Sequence, residues 1–214
     1  MELVKEQTAV ARYEQLESNR STFLRRARDA SKLTLPALIP ESTVGTAAKL
    51  KTPFQAVGAR GCNSLASKLL IALLPPSTPF FKLSIDSLAL LQEGQEGLET
   101  EIDKGLRVIE NALMNEIEVS NDRVAMFEAL KHLIVGGNVL LYLTDKGLKV
   151  YHFDRYVCKR DDVGNVLEII TKETIHPQAL PPEFLAKIKE KENYDAEDFD
   201  EDLDIYTCIK RHGD

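Results

Sequence analysis

Carboxylates and imidazoles are the side chains of this sequence whose spacing permits catalysis or metal binding. His152 and Asp154 lie two positions apart in a segment with strand character, which predicts both on one face of a strand. A carboxylate in that position can orient an imidazole ring. No nucleophile accompanies them, so we interpret them as a surface pair.

Asp154, Asp161 and Asp162 form a second acidic group. Carboxylates hold the divalent ions that assist phosphodiester hydrolysis. A metal-dependent phosphodiesterase is therefore an alternative hypothesis for this chain.

The densest acidic run is ENYDAEDFDEDLD, which lies within an acidic loop predicted over 190–204. Asp198, Asp200 and Asp202 match the start of an EF-hand calcium loop. The pattern then fails, because the sixth position, which requires glycine, is Leu203 and the twelfth, which requires glutamate, is Ile209. We interpret the run as a solvated loop.

The usual catalytic motifs are missing from the sequence. It has no Walker phosphate loop, no G-x-S-x-G, no H-E-x-x-H and no Rossmann glycine pattern. The three cysteines, Cys62, Cys158 and Cys208, are far apart and contain no C-x-x-C, which favours reduced thiols. We therefore predict a protein that is not an enzyme and has no metal or cofactor.

Charge is distributed unevenly along the 214 residues, whose net charge is −7. Residues 1–75 contain 11 basic and 6 acidic side chains, a net of +5, and the remainder contains 16 and 28, a net of −12. A basic section favours contact with nucleic acid, although two differently charged surfaces of one soluble protein explain it as well. The run LLIALLPP is too short to span a bilayer, so no membrane contact is expected.

The helical spacing of Tyr13, Leu16 and Phe23 predicts one long helix over residues 2–34, ending before Pro36. Its second half is basic. Such side chains near a helix C-terminus are favoured by the helix dipole, and the functional alternative is contact with DNA phosphates. The candidate DNA-facing residues are Arg25, Arg26, Arg28 and Lys32.

An amphipathic helix is predicted to begin near Pro53 and to end at Pro75. Its apolar positions are Phe54, Val57, Cys62, Leu65, Leu69 and Leu73. Gly58 and Gly61 lie three residues apart on this helix. We predict that they allow another backbone to pack closely.

The segment TPFFKLSI alternates apolar and polar residues, which predicts a strand. Further helices are predicted from a stripe at Leu98, Ile102, Leu106, Ile109, Leu113 and Ile117, and over 121–134. Two β-hairpins follow, one turning at Asp145-Lys146-Gly147 and one near Gly164-Asn165. The predicted class is α+β, with a helical part over 1–135 and a β-rich part over 136–214.

Four segments, taken together and in order, resemble the portal proteins (head-tail connectors) of short-tailed, podovirus-type phages. They are TPFQAVGARGCNSLASKLLIALLPP, MFEALKHLIVGGNVLLYL, YVCKRDDVGNVLEIITKE and DLDIYTCI. The resemblance runs over nearly the whole chain. It implies a wing-like α+β fold and a structural role without catalytic activity.

The resemblance also implies partners and a location. Subunits of this family form a homo-oligomeric ring, typically of twelve, at one capsid vertex. Double-stranded DNA passes through the ring without sequence-specific binding, during packaging and ejection. The expected partners are the terminase motor, the major capsid and scaffold proteins, and tail adaptor proteins. The expected location is the virion, after synthesis in the cytoplasm of the bacterial host.

This sequence departs from the family pattern in its length. The family's stem, clip and crown are not recognisable here, so the chain resembles the N-terminal portion, mostly the wing. A free-standing DNA-binding module that acts through the basic first helix remains an alternative hypothesis, beside the phosphodiesterase.

Overall fold

The fold combines helices in the first part of the chain with antiparallel strands in the second. The computed structural model describes residues 8–40, 52–76, 78–84, 99–145, 147–182, 184 and 202–211. The helices are α1 (Ala9–Asn19), α2 (Ser21–Leu33), α3 (Val57–Leu73), α4 (Glu99–Val119) and α5 (Asp122–Gly136). The strands are β1 (Leu140–Thr144), β2 (Gly147–Tyr151), β3 (Tyr156–Arg160), β4 (Val166–Ile175) and β5 (Leu203–Lys210), with a short 3₁₀ helix at Pro177–Ala179. The predicted α+β class is confirmed.

The chain divides into two compact units. The first unit contains Met1–Arg26 and Tyr151–Asp214, and the second contains Ala27–Val150. This division differs from the predicted boundary between 135 and 136, because α1 belongs to the same unit as strands β3 to β5. Most of the predicted acidic loop over 190–204 lies outside the described residues, and Leu203 and Asp204 belong to β5.

The prediction of one helix over 2–34 is wrong for the described residues, because the chain forms two helices that meet at Arg20. Thr8 caps the start of α1 by accepting a hydrogen bond from the Ala11 amide at 3.4 Å. Arg20 leaves helical geometry, with φ −99° and ψ 6°. Asn19 and Ser21 flank it, and such residues favour helix ends over helix interiors.

The core of the first unit lies between α1 and a three-stranded antiparallel sheet in the order β3-β4-β5. Val157 and Ile170 are direct partners on β3 and β4, and neither is exposed to solvent. Tyr13 and Leu16 of α1 pack with them. Burial raises the pKa of Tyr13 to about 12, so its hydroxyl stays protonated and donates to the Asp154 carbonyl at 2.8 Å.

An ion pair joins α1 to the central strand of this sheet. Arg12 donates from Nε to Glu168 Oε2 at 2.9 Å, and its Nη2 lies 2.9 Å from the same oxygen. The Glu168 side chain is only 8% exposed. A carboxylate this far from water requires a charged partner, so the pair constrains where α1 lies on the sheet.

The turn between β3 and β4 is organised by Asp161. Its carboxylate accepts hydrogen bonds from the amides of Val163 at 3.1 Å and Asn165 at 2.7 Å, and from the Asn165 side chain at 2.9 Å. Gly164 has φ +97°, a conformation that favours glycine. The predicted hairpin with a turn near Gly164 and Asn165 is confirmed by these contacts and by the β3–β4 pairing.

Helix α5 contacts both α3 and α4 in the second unit. The buried residues are Cys62 and Ala66 on α3, and Ala129, Leu130 and His132 on α5. Arg123 of α5 donates to the carbonyls of Leu74 at 2.7 Å and Pro75 at 3.0 Å. A guanidinium at these carbonyls satisfies and neutralises the C-terminal end of α3.

The first predicted hairpin, β1–β2, follows α5. Gly137 ends the helix in the left-handed conformation, with φ +73°. Asp122, the first residue of α5, accepts a hydrogen bond from the Leu148 amide of β2 at 2.7 Å. This bond ties the hairpin to the beginning of the helix.

The strand predicted from TPFFKLSI is wrong over 78–84, where the chain runs without strand pairing. The Leu83 amide donates instead to the Glu110 carboxylate of α4 at 2.6 Å. A side chain therefore takes the role that a neighbouring strand would have. Residue 85 lies outside the described residues.

The two glycines predicted to allow close packing differ in their surroundings. A Cβ built on Gly58 would lie 2.5 Å from the Leu33 carbonyl oxygen and 3.2 Å from the Thr34 side chain. A Cβ on Gly61 would meet nothing within 4 Å among the described residues. Within the described residues, another backbone therefore approaches Gly58 closely and none approaches Gly61.

We expect Gly58→Ala to destabilise the protein by about 2 kcal/mol, because backbone atoms must move and this outweighs the helix propensity gained. The matched control, Gly61→Ala, should stabilise the separated subunit by roughly 0.5–1 kcal/mol. Urea unfolding followed by circular dichroism measures both. Equal effects of the two substitutions would contradict this account.

The pKa of Asp161 lies below its usual range, first because of the hydrogen bond from the Asn165 side chain. The folded state therefore favours the ionised carboxylate. Its contribution to stability is complete above the ordinary aspartate pKa of about 4 and is lost as pH falls through the lowered value. Asn165→Ala should raise the Asp161 pKa in a carboxyl NMR titration, and Asn111→Ala should leave it unchanged. An unchanged pKa in Asn165→Ala would refute the assignment.

Candidate functional site

The residues predicted to contact DNA lie together on one helix, α2. Arg25, Arg26 and Lys32 are exposed and Arg28 is half-buried. Because their positions are i, i+3 and i+7, Arg25, Arg28 and Lys32 share one face, which we call the basic face of α2. Arg26 lies beside it, with its guanidinium 4.8 Å from the Phe23 ring centroid.

One acid reduces the charge of this face. Asp29 lies between Arg25 and Arg28 on the one side and Lys32 on the other, and its carboxylate is 3.8 Å from the Lys32 ammonium. Both side chains are largely exposed, so this pair contributes little to stability. Four basic side chains and one acidic side chain leave the helix a net +3.

Arg20 belongs to the same basic half of the predicted first helix, and its side chain contacts the core of the first unit. Its guanidinium carbon lies 5.0 Å from the Phe153 ring centroid and 5.7 Å from that of Tyr156. Cation–π contacts of this kind stabilise a partly buried arginine. Only the sheet brings Phe153 and Tyr156 to Arg20, so spacing along the sequence contains no sign of this contact.

The apolar face predicted for α3 is buried only in part. Cys62 is buried and Leu69 is half-buried, as the pattern predicts. The other four predicted positions, Phe54, Val57, Leu65 and Leu73, are exposed, and Ile71 is 62% exposed as well. The buried side centres on Cys62 and Ala66, which lie against α5, so much of the apolar surface of α3 is left uncovered.

Helix α4 shows the same pattern. Its predicted stripe is half-buried at Ile102, Leu106 and Ile117 and exposed at Ile109 and Leu113. The first predicted position, Leu98, lies outside the described residues. Met114 is the buried residue of this helix. Val108 and Val119 add to the exposed apolar surface, at 68% and 85%.

The residues predicted for chemistry do not form one site. His152 and Asp154 lie in a turn closed by a hydrogen bond from the Arg155 amide to the His152 carbonyl, so the predicted strand placement is wrong. Asp161 and Asp162 lie beyond the other end of β3, and this five-residue strand, about 16 Å long, separates them from Asp154. The Asp161 carboxylate is already occupied by the turn.

The three free cysteines lie on different elements, α3, β3 and β5. The free cysteines are Cys62, which is buried, Cys158, which is half-buried, and Cys208, which is exposed. Asp198 and Asp200 of the EF-hand-like run lie outside the described residues. Within the described ranges, none of the helices is long and apolar enough to cross a membrane.

The chain is similar to a family of known proteins. Residues 6–214 match the family described as bacteriophage head to tail connecting protein. The portal protein of Escherichia phage T7 is 40% identical over 205 residues, covering 92% of this chain and 38% of the relative. That of Enterobacteria phage T3 is 38% identical over 211 residues, covering 95% and 39%.

A third relative is more distant. The portal protein of Enterobacteria phage SP6 is 33% identical over 160 residues, covering 74% of this chain and 31% of the relative. The chain thus spans well under half the length of these relatives. Since the family match extends over almost every residue, the chain belongs to the bacteriophage head-to-tail connecting protein family.

Proposed function

We propose that this chain forms the wing of a portal subunit, which assembles with its copies into a ring at one vertex of a phage capsid. The observation that carries the proposal is the exposure of large apolar side chains on α3 and α4 of a chain that belongs to this family. Exposed apolar patches on a folded protein are typical of surfaces that bind other protein. They are Val57, Leu65, Ile71 and Leu73 on α3, and Val108, Ile109, Leu113 and Val119 on α4.

The ring, of about twelve subunits by analogy with the family, encloses a channel for double-stranded DNA during packaging and ejection. Its outer surfaces bind the terminase motor, the major capsid and scaffold proteins, and the tail adaptors. The subunit is synthesised in the host cytoplasm and acts in the virion. Its contribution is structural and not catalytic, which the separation of Asp154 from Asp161 and Asp162 supports.

Contact with DNA is assigned to the basic face of α2. Exposed guanidinium and ammonium groups bind phosphates without reading the base sequence, as a channel for any genome requires. The net charge of −7 of the whole chain keeps this binding weak, so the DNA can slide.

Native mass spectrometry of the purified protein tests the ring. We expect an assembly of many chains, because the exposed apolar surface of α3 and α4 is buried between copies. A denatured spectrum of the same sample gives the chain mass, against the 24.0 kDa of this sequence. A monomer at micromolar concentration that cleaves DNA with Mg²⁺ or Mn²⁺ would refute the ring and favour the phosphodiesterase.

Salt dependence of duplex binding tests the DNA contact. Replacing Arg25, Arg28 and Lys32 together with Gln should weaken binding to all sequences alike. The slope of log K against log salt should fall by about 1 for each phosphate that is no longer neutralised. The control removes the same charge at three exposed positions elsewhere, with Lys82→Gln, Lys159→Gln and Arg211→Gln. Equal weakening in both variants would exclude a specific role for α2.

A further inference from the structure

The exposed residues of α3 and α4 recur with the same spacing. Along α3, the outward residues are spaced by four, three, four and three positions, and we call them the α3 face: Val57, Gly61, Ser64, Lys68 and Ile71. Along α4, the same spacing gives the α4 face: Glu101, Gly105, Val108, Ala112, Asn115 and Val119. Every one of these residues is exposed. This spacing is that of helices packed side by side at a shallow angle.

Small residues lie within both faces. A Cβ on Gly61 or on Gly105 would meet nothing within 4 Å in the described part of the chain. Apolar side chains lie along the same lines, with Val57 and Ile71 at 61% and 62% exposure and Val108 and Val119 at 68% and 85%. Each face thus has a glycine without a side chain next to larger apolar side chains. The apolar side chains of one helix can therefore fit at the glycine of the other.

The two helices also carry opposite charge. Helix α3 contains two basic residues, Arg60 and Lys68, and no acidic ones, for a net of +2. Helix α4 contains six acidic and two basic residues, for a net of −4. Arg60 and Lys68 lie on the exposed side of α3, as Glu101 and Glu116 do on that of α4. Opposite charges along two apolar faces favour their pairing and disfavour α3 with α3 or α4 with α4.

We propose that the α3 face of one subunit binds the α4 face of the next copy of this chain. The inference rests on the proposed ring and names the surface that closes it. Two different faces of the same subunit make a heterologous contact, which repeats head to tail and produces a ring when the rotation closes. In this arrangement Gly61 serves close packing between subunits, in contrast to Gly58, which serves it within the chain.

Charge reversal tests the pairing. Arg60→Glu with Lys68→Glu should raise the dissociation constant between subunits at least about tenfold, because it places like charges against α4. Glu101→Lys with Glu116→Lys should do the same. All four substitutions together place opposite charges at these four positions again, and assembly should return to within about threefold of the natural protein. The readout is the ring fraction in native mass spectra over a dilution series.

The control is Lys159→Glu with Arg211→Glu, which makes the same change of charge at exposed positions of the first unit. It should assemble normally. Thermal unfolding shows that each variant remains folded. The pairing is wrong if the natural protein forms a ring that tolerates charge reversal of either face. It is also wrong if the fourfold variant fails to assemble. In both cases the proposed ring itself still stands. A natural protein that forms no ring at all overturns the proposed function itself.

Discussion

The buried carboxylate of Glu168 is the constraint on which the first unit depends. It lies on the central strand of a three-stranded sheet, where water cannot stabilise its charge, and Arg12 supplies the opposite charge from a helix 156 positions earlier in the chain. That pairing, with Tyr13 and Leu16 against Val157 and Ile170, places α1 on the sheet. The beginning and the end of the described chain therefore form one compact unit, and neither could bury its apolar face alone.

In the second unit, helix packing buries only part of the apolar surface of the helices. Helix α5 covers Cys62 and Ala66 of α3, and Arg123 satisfies the carbonyls that end α3. Several large apolar side chains of α3 and α4 stay exposed. Exposed apolar side chains of this kind are typical of surfaces that bind other protein, and the proposed ring rests on them.

Asp154 and Asp161 have side chains suited to metal binding, but the fold does not bring them together. Asp154 and Asp161 are close in sequence but separated by a whole strand, and Asp161 uses its carboxylate to hold the β3–β4 turn. Divalent metals need several oxygen atoms within a few ångströms. Of these two residues, Asp161 has a structural role, since its carboxylate accepts the hydrogen bonds that close the turn.

The sequence alone predicts the α+β class and the order of helices before hairpins. It also predicts the turn at Gly164 and the ends of α2 and α3 at proline-containing segments. These features are predictable because periodicity, glycine and proline act over a few residues. The sequence also contains the family resemblance. It could not reveal the failure of TPFFKLSI to form a strand, since that depends on the partners available in space. The break at Arg20 has a local signal in Asn19 and Ser21, which the apolar spacing of one long helix outweighed. The sequence also could not distinguish the buried side of α3 from the exposed side. Cys62 and Leu65 are both apolar residue types, and only packing against α5 decides that Cys62 is buried and Leu65 exposed. The ion pair of Arg12 with Glu168, and the different surroundings of Gly58 and Gly61, were decided by tertiary structure alone, because they join residues that no local pattern relates.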